Sequence, residues 1–92
     1  MSLLVPLATP SAAAAEEVRP AACSYVVYWV YESPVRENPD TDSVIRKYKY
    51  HTEMVSGPCM ETLDNESGVW FTAVYCSCAT DGIGWMRSSH LF

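Results

Sequence analysis

The chain has 92 residues, 49% of them hydrophobic and 18% charged, with a formal net charge of −5. A length this short makes one domain. The acidic balance argues against a nucleic-acid partner, because phosphate neutralisation needs clustered Lys and Arg. The one basic cluster, Arg46-Lys47-Tyr48-Lys49, would not put all its charges on one face of a strand and reads as a solvated edge.

The chain opens with a short apolar run, Met1 to Ser11, that passes into Ala12-Ala13-Ala14-Ala15 before Glu16-Glu17. Small residues after an apolar run resemble the later part of a secretory signal, with Ala13-Ala14-Ala15 as the cleavage region. No Lys or Arg precedes Arg19, so the alternative reading of residues 1–15 is an unstructured Ala/Pro tail. Residues 16–22 then form a flexible lead and 23–92 the folded domain. The run is far shorter than the roughly 20 apolar residues of a spanning helix and contains Pro6 and Pro10.

Ser24 to Tyr31 (Ser-Tyr-Val-Val-Tyr-Trp-Val-Tyr) is dense in β-branched and aromatic residues and predicts a strand. Ser33-Pro34 ends it, and Arg36 to Ser43 is a polar loop rich in turn formers. Val44-Ile45 restarts β character, which Tyr48 continues, and Lys49-Tyr50-His51 reads as a tight turn. Thr52 to Val55 alternates polar and apolar before Ser56-Gly57-Pro58 interrupts it, and Cys59 to Gly68 reads as a longer acidic loop. Val69 to Tyr75 is the clearest central strand. Asp81-Gly82 is a hairpin signal, Ile83 to Met86 the return strand, and Ser88-Ser89-His90 a short 3₁₀ turn before Leu91-Phe92. No helical periodicity or repeat occurs, and the pattern predicts a small all-β barrel of about five antiparallel strands.

Cys23, Cys59, Cys76 and Cys78 form an even set in a short chain and predict two disulfides. Each would contribute roughly 2–4 kcal/mol, comparable with the net stability of so small a domain, which points to an oxidising, extracellular location. On a continuous strand Cys76 and Cys78 face the same way, so a bond between them is sterically poor and each is expected to pair with Cys23 or Cys59. Two maps remain open, Cys23–Cys78 with Cys59–Cys76 and Cys23–Cys76 with Cys59–Cys78. The first is preferred because Cys59 should end a strand near the start of the hairpin extension. A zinc site built from these cysteines and His90 lacks the Cys-x₂-Cys knuckle, so no metal and no cofactor is expected.

The order of residues resembles the bacterial Src-homology-3 family between Tyr28 and Phe92. The residues that carry the resemblance are Val35-Arg36-Glu37-Asn38-Pro39, Asp42-Ser43-Val44-Ile45, Thr52-Glu53-Met54-Val55, Trp70-Phe71-Thr72-Ala73-Val74 and Gly84-Trp85-Met86-Arg87-Ser88-Ser89-His90-Leu91. The resemblance implies a five-stranded barrel and a peptide groove between the first loop and the loop before the Trp strand. Carried over by position, Tyr28, Tyr31, Trp70 and His90 border that groove, and Glu37, Asp40, Asp42 and Glu66 give it an acidic rim suited to a cationic ligand. The diverging turn of the family carries Gly where His51 stands, which implies a positive φ at His51.

Tyr25, Tyr28, Trp29, Tyr31, Trp70, Phe71, Tyr75 and Trp85 outnumber what a core of this size can hide, so some must reach the surface as recognition elements. No catalytic motif surrounds His51 or His90, and the acidic residues lack calcium-loop spacing. The resemblance implies a bacterial module that binds cell-wall peptide, peptidoglycan or another peptide, and with it the expected protein is non-catalytic, monomeric and secreted. The alternative is a small secreted inhibitor or toxin-like protein that acts on another protein.

Overall fold

Val69 to Tyr75 combines β-branched and aromatic residues with no turn former, and it makes the longest strand of the domain. The computed structural model describes residues 22–92, so the expected signal segment (1–15) and all but Ala22 of the lead lie outside the described residues. Within them the chain is all-β: β1 (Cys23–Val26), β2 (Glu32–Arg36), β3 (Ile45–Tyr50), β4 (Met54–Gly57), β5 (Glu61–Asp64), β6 (Val69–Tyr75) and β7 (Ile83–Arg87), then a 3₁₀ turn over Ser88–His90. Five strands form one antiparallel sheet in the order β3-β2-β7-β6-β5, and β1 pairs with β4 in a second. The C-terminal tail extends the smaller sheet. Leu91 bridges Val27, and Val26 and Phe92 exchange both backbone hydrogen bonds, at 3.1 and 2.9 Å.

The two sheets close over Val27, Val35, Val55, Val74, Met86 and Leu91, with Tyr25, Val30, Cys76 and Cys78 packed against this cluster. Four successive residues of β6, Phe71 to Val74, are buried, so both faces of that strand are covered. Part of the cover is β4, which approaches so closely that a Cβ on Gly57 would fall against the carbonyl of Ala73. At the other end of β6 the Asp81-Gly82 signal holds: Gly82 takes φ 82° and its carbonyl accepts the amide of Cys76 at 2.9 Å.

Several expectations need correction. The domain has seven strands in two sheets rather than about five in one barrel. The barrel is not closed, since β3 and β5 end the larger sheet without pairing to each other. The strand expected over Ser24 to Tyr31 stops at Val26 because the next amides turn aside. Tyr28 and Trp29 both donate to the carbonyl of His90, at 3.1 and 3.5 Å, which successive residues of an extended strand cannot do. Ser33 and Pro34 lie inside β2 rather than ending a strand. Proline is tolerated there because β7 meets β2 only at Arg36, which leaves Pro34 with one partner strand.

The acidic stretch expected as loop contains β5, which pairs with β6 from Glu61↔Thr72 to Asp64↔Val69. The positive φ falls on Thr52 (74°), one residue beyond His51. β3 runs through Tyr50, and the bend comes at His51-Thr52, with Glu53 donating its amide to the Tyr50 carbonyl.

The disulfide map also differs from both expected arrangements: Cys23 pairs with Cys59, and Cys76 with Cys78. The register of β1 puts Cys23 opposite Gly57. Pro58 and a left-handed Cys59 (φ 62°) then fold the chain back, bringing the two Cα atoms to 5.1 Å. At the second bridge β6 has already ended at Tyr75, so Cys76 and Cys78 occupy a turn. Their Cα atoms are 5.0 Å apart, against about 7 Å for two extended residues, and that contraction removes the steric objection to the bond.

Candidate functional site

Cross-strand register assembles a face from residues far apart in sequence. Leu63 stands opposite Trp70 and Glu61 opposite Thr72, while Thr72 also pairs with Met86 on the other side. Period-two alternation therefore gives Glu61, Leu63, Trp70 and Thr72 one common face. The chain leaves β7 directly into the 3₁₀ turn, and the Thr72 and Ser88 hydroxyls are hydrogen-bonded at 2.7 Å. Ser88 also lines a cavity of about 490 Å³, together with Glu61, Gly68, Val69, Trp70, Arg87 and Ser89. Trp70 is half exposed there.

Glu61 and Arg87 line the same cavity without forming an ion pair. Among the described residues the only carboxylate–cation pair is Arg46–Glu37, at 2.9 Å. A guanidinium, a carboxylate, two serine hydroxyls and an indole face then border one concavity. Such a set can hold an apolar group on the ring together with charged groups of both signs.

The last residue of the same turn organises a second group. His90 presents its carbonyl to the amides of Tyr28 and Trp29, and its Nδ1 is 2.7 Å from the Oγ of Ser33. Burial, and secondly the nearby Arg87 charge, push the His90 imidazole below its ordinary pKa. Ser33 is completely buried and His90 half-buried, and their contact ties β2 to the turn.

Beside the turn, the Tyr28 ring lies 4.8 Å from Trp29, 5.8 Å from Phe92 and 5.6 Å from His51, and Trp29 is 6.3 Å from Phe92. Trp29 and Phe92 are 61% and 76% exposed, so these rings form a surface ridge and not a core. Tyr31 packs on Tyr50 at 6.0 Å, and its carbonyl accepts the amide of His51 at 2.7 Å.

The residues expected to line one groove are thus distributed along a strip. Tyr28 and His90 meet directly through backbone. Trp70 stands at the opposite end of the 3₁₀ turn, with no ring contact to them among the described residues, and Tyr31 lies beyond Tyr28 against Tyr50. Asp40 and Asp42 are elsewhere, in the β2–β3 loop, where the Asp40 carboxylate accepts the Asp42 amide at 2.7 Å. That loop is tied to the β5–β6 turn by the Thr41 amide, which donates to Asp64 at 3.2 Å. This bond, then the one from Ser67, holds the Asp64 carboxyl below its usual pKa. Glu37 is likewise lowered, first by Arg46 and then by the amide of Thr80.

The sequence reading missed Arg87, Glu61, Ser88 and Ser89 as cavity residues, and Phe92 as a member of the ridge. Arg87 follows the Gly-Trp motif in plain view, but the register pairs it with Phe71, and it joins Trp70 only as a residue lining the same cavity. Among the described residues no group of three or more His, Cys, Asp or Glu is placed to hold a metal ion, and all four cysteines are in disulfides. No described helix is long and apolar enough to cross a membrane. Comparison with protein-family models, with curated proteins and with solved structures finds no match to this chain.

Proposed function

We propose that the protein is an extracellular binding module that takes a peptide of the cell-wall class along the strip from Trp70 across the 3₁₀ turn to Tyr28. The observation that carries the reading is that Arg87 and Glu61, without an ion pair among the described residues, line one cavity with half-exposed Trp70. A peptide end supplies a carboxylate for Arg87, an amine elsewhere supplies the partner for Glu61, and an apolar side chain covers the indole. Tyr28 and Trp29 extend the contact. The segments that resemble the bacterial Src-homology-3 family point the same way, as do two disulfides suited to an oxidising compartment.

The test is retention on purified peptidoglycan and on its isolated peptides, with Trp70→Ala as comparison. Truncating a central aromatic of such a contact costs about 2 kcal/mol, roughly a thirtyfold loss of affinity. Unchanged retention of Trp70→Ala, with the disulfides and β-signal intact, excludes the cavity. Capture of a stoichiometric protein partner, with no affinity for wall peptide, replaces this reading by the inhibitor-like one. The 61–78% exposure of Trp29, Tyr31 and Phe92 would serve that partner equally well.

A further inference from the structure

The Cys76–Cys78 bridge is placed where it has little to hold together. Its cysteines are two residues apart, against 36 for Cys23–Cys59, so closing it restricts the unfolded chain far less. The turn that contains it is fixed by other means. The Cys76 amide donates to Gly82 at 2.9 Å, Ala79 to the Cys76 carbonyl at 3.1 Å, and Gly82 to the Ala79 carbonyl at 3.1 Å. From outside the turn, the Glu37 carboxylate accepts the amide of Thr80 at 3.2 Å. With the bond broken these contacts would still hold both sulfurs side by side, ready to close again.

One further contact distinguishes the two sulfurs: the Cys78 amide donates to Cys76 Sγ at 3.2 Å. A hydrogen bond to sulfur favours the thiolate, so Cys76 is the better leaving group and Cys78 Sγ the atom to be attacked. Both cysteines are half-buried, and they flank exposed Ser77 at a surface hairpin.

The geometry points to Cys76-Ser77-Cys78 as a site of thiol–disulfide exchange that oxidises dithiols of other polypeptides. A substrate thiolate attacks Cys78 Sγ, the Cys76–Cys78 bond breaks, and its electron pair leaves on Cys76 Sγ. The second substrate thiolate then attacks the substrate sulfur of the mixed disulfide and releases Cys78. The substrate loses two electrons and gains a disulfide. The bridge gains both electrons, and the two protons given up by the substrate thiols end on Cys76 and Cys78. This activity is independent of the peptide-binding strip.

The experiment uses the oxidised full chain with a reduced two-cysteine peptide, and alkylation followed by mass mapping as the readout. The expected result is transfer of one disulfide equivalent at least tenfold faster than with the Cys76→Ala/Cys78→Ala double variant, while Cys23–Cys59 stays oxidised. With reduced glutathione as single-thiol probe, the trapped mixed disulfide should sit on Cys78. Transfer no faster than with the double variant, resistance of both bridges to the peptide, or a map that does not join Cys76 to Cys78 overturns the proposal. Glutathione found on Cys76 overturns the assigned direction of attack.

Discussion

The two disulfides divide the molecule into regions that spend their cysteines differently. Cys23–Cys59 links the first strand to the segment that follows β4, closing a loop of 36 positions that contains β1 to β4. Cys76–Cys78 closes two positions within a turn that backbone hydrogen bonds already define. The chain-entropy account assigns about 4 kcal/mol to a loop of the first length and about 1.5 kcal/mol to one of the second. One bridge, the staple, therefore contributes well over twice the stability of the other, which makes the shorter bridge the less costly one to open.

The sharpest way to break this contrast is to remove the staple. The Cys23→Ala/Cys59→Ala variant should lose about 4 kcal/mol, enough to unfold much of a domain whose net stability is of that order. Denaturant unfolding of the purified variant, read against wild type, measures it. A loss under about 1 kcal/mol would show that β1 and β4 are held by their pairing and core contacts alone.

A second variant tests the same region without touching sulfur. Gly57 approaches β6 so closely that an added Cβ meets the backbone of Ala73 and Val74, which cannot rotate aside as a side chain can. Gly57→Ala should therefore cost about 3 kcal/mol, at the upper end of overpacking effects. A thermal midpoint unchanged from wild type would mean that β4 can move away from β6.

How far these regions could be read from sequence follows from the kind of interaction that forms each. β6 is legible because Val69 to Tyr75 carries strong local preference, and the Asp81-Gly82 turn because glycine is needed at φ 82°. The 3₁₀ turn at Ser88 to His90 was equally readable. β5 was not, since Glu61-Thr62-Leu63-Asp64 becomes a strand only through pairing with β6. The disulfide partners depended on Cys59 adopting φ 62° and on β6 ending one residue before Cys76, and neither follows from spacing. In the candidate site Trp70 and His90 announced themselves as an aromatic on a strand and a histidine in a turn. Arg87 and Glu61 did not, because their value lies in facing one cavity from different strands.

Against the staple, the Cys76→Ala/Cys78→Ala variant should lose about 1.5 kcal/mol or less. Its denaturation midpoint should fall by less than half as much as that of the Cys23→Ala/Cys59→Ala variant, with the hairpin still held by Gly82, Ala79 and Glu37. A loss as large as that from removing Cys23–Cys59 would erase the distinction between the bridges.

The smallest expected effect separates the regions by pH. His90, where the 3₁₀ turn meets Ser33 and the amides of Tyr28 and Trp29, has its pKa lowered by burial and then by Arg87. The unfolded chain therefore binds a proton more readily than the native one in the window just below 6.5, the ordinary histidine value. Stability contributed here is fully present above that window and is lost as pH falls through it. Glu37 and Asp64 are also lowered, but as carboxylates, so their contribution persists to more acidic pH and fades only as it drops below 4.5 and 3.8, their ordinary values. The denaturation midpoint should thus decline in two steps on acidification. His90→Gln should remove the upper step and leave the lower one, whereas Glu37→Gln should diminish only the lower. A single step that neither substitution alters would mean that the tie between the turn and Ser33 does not respond to the charge on His90.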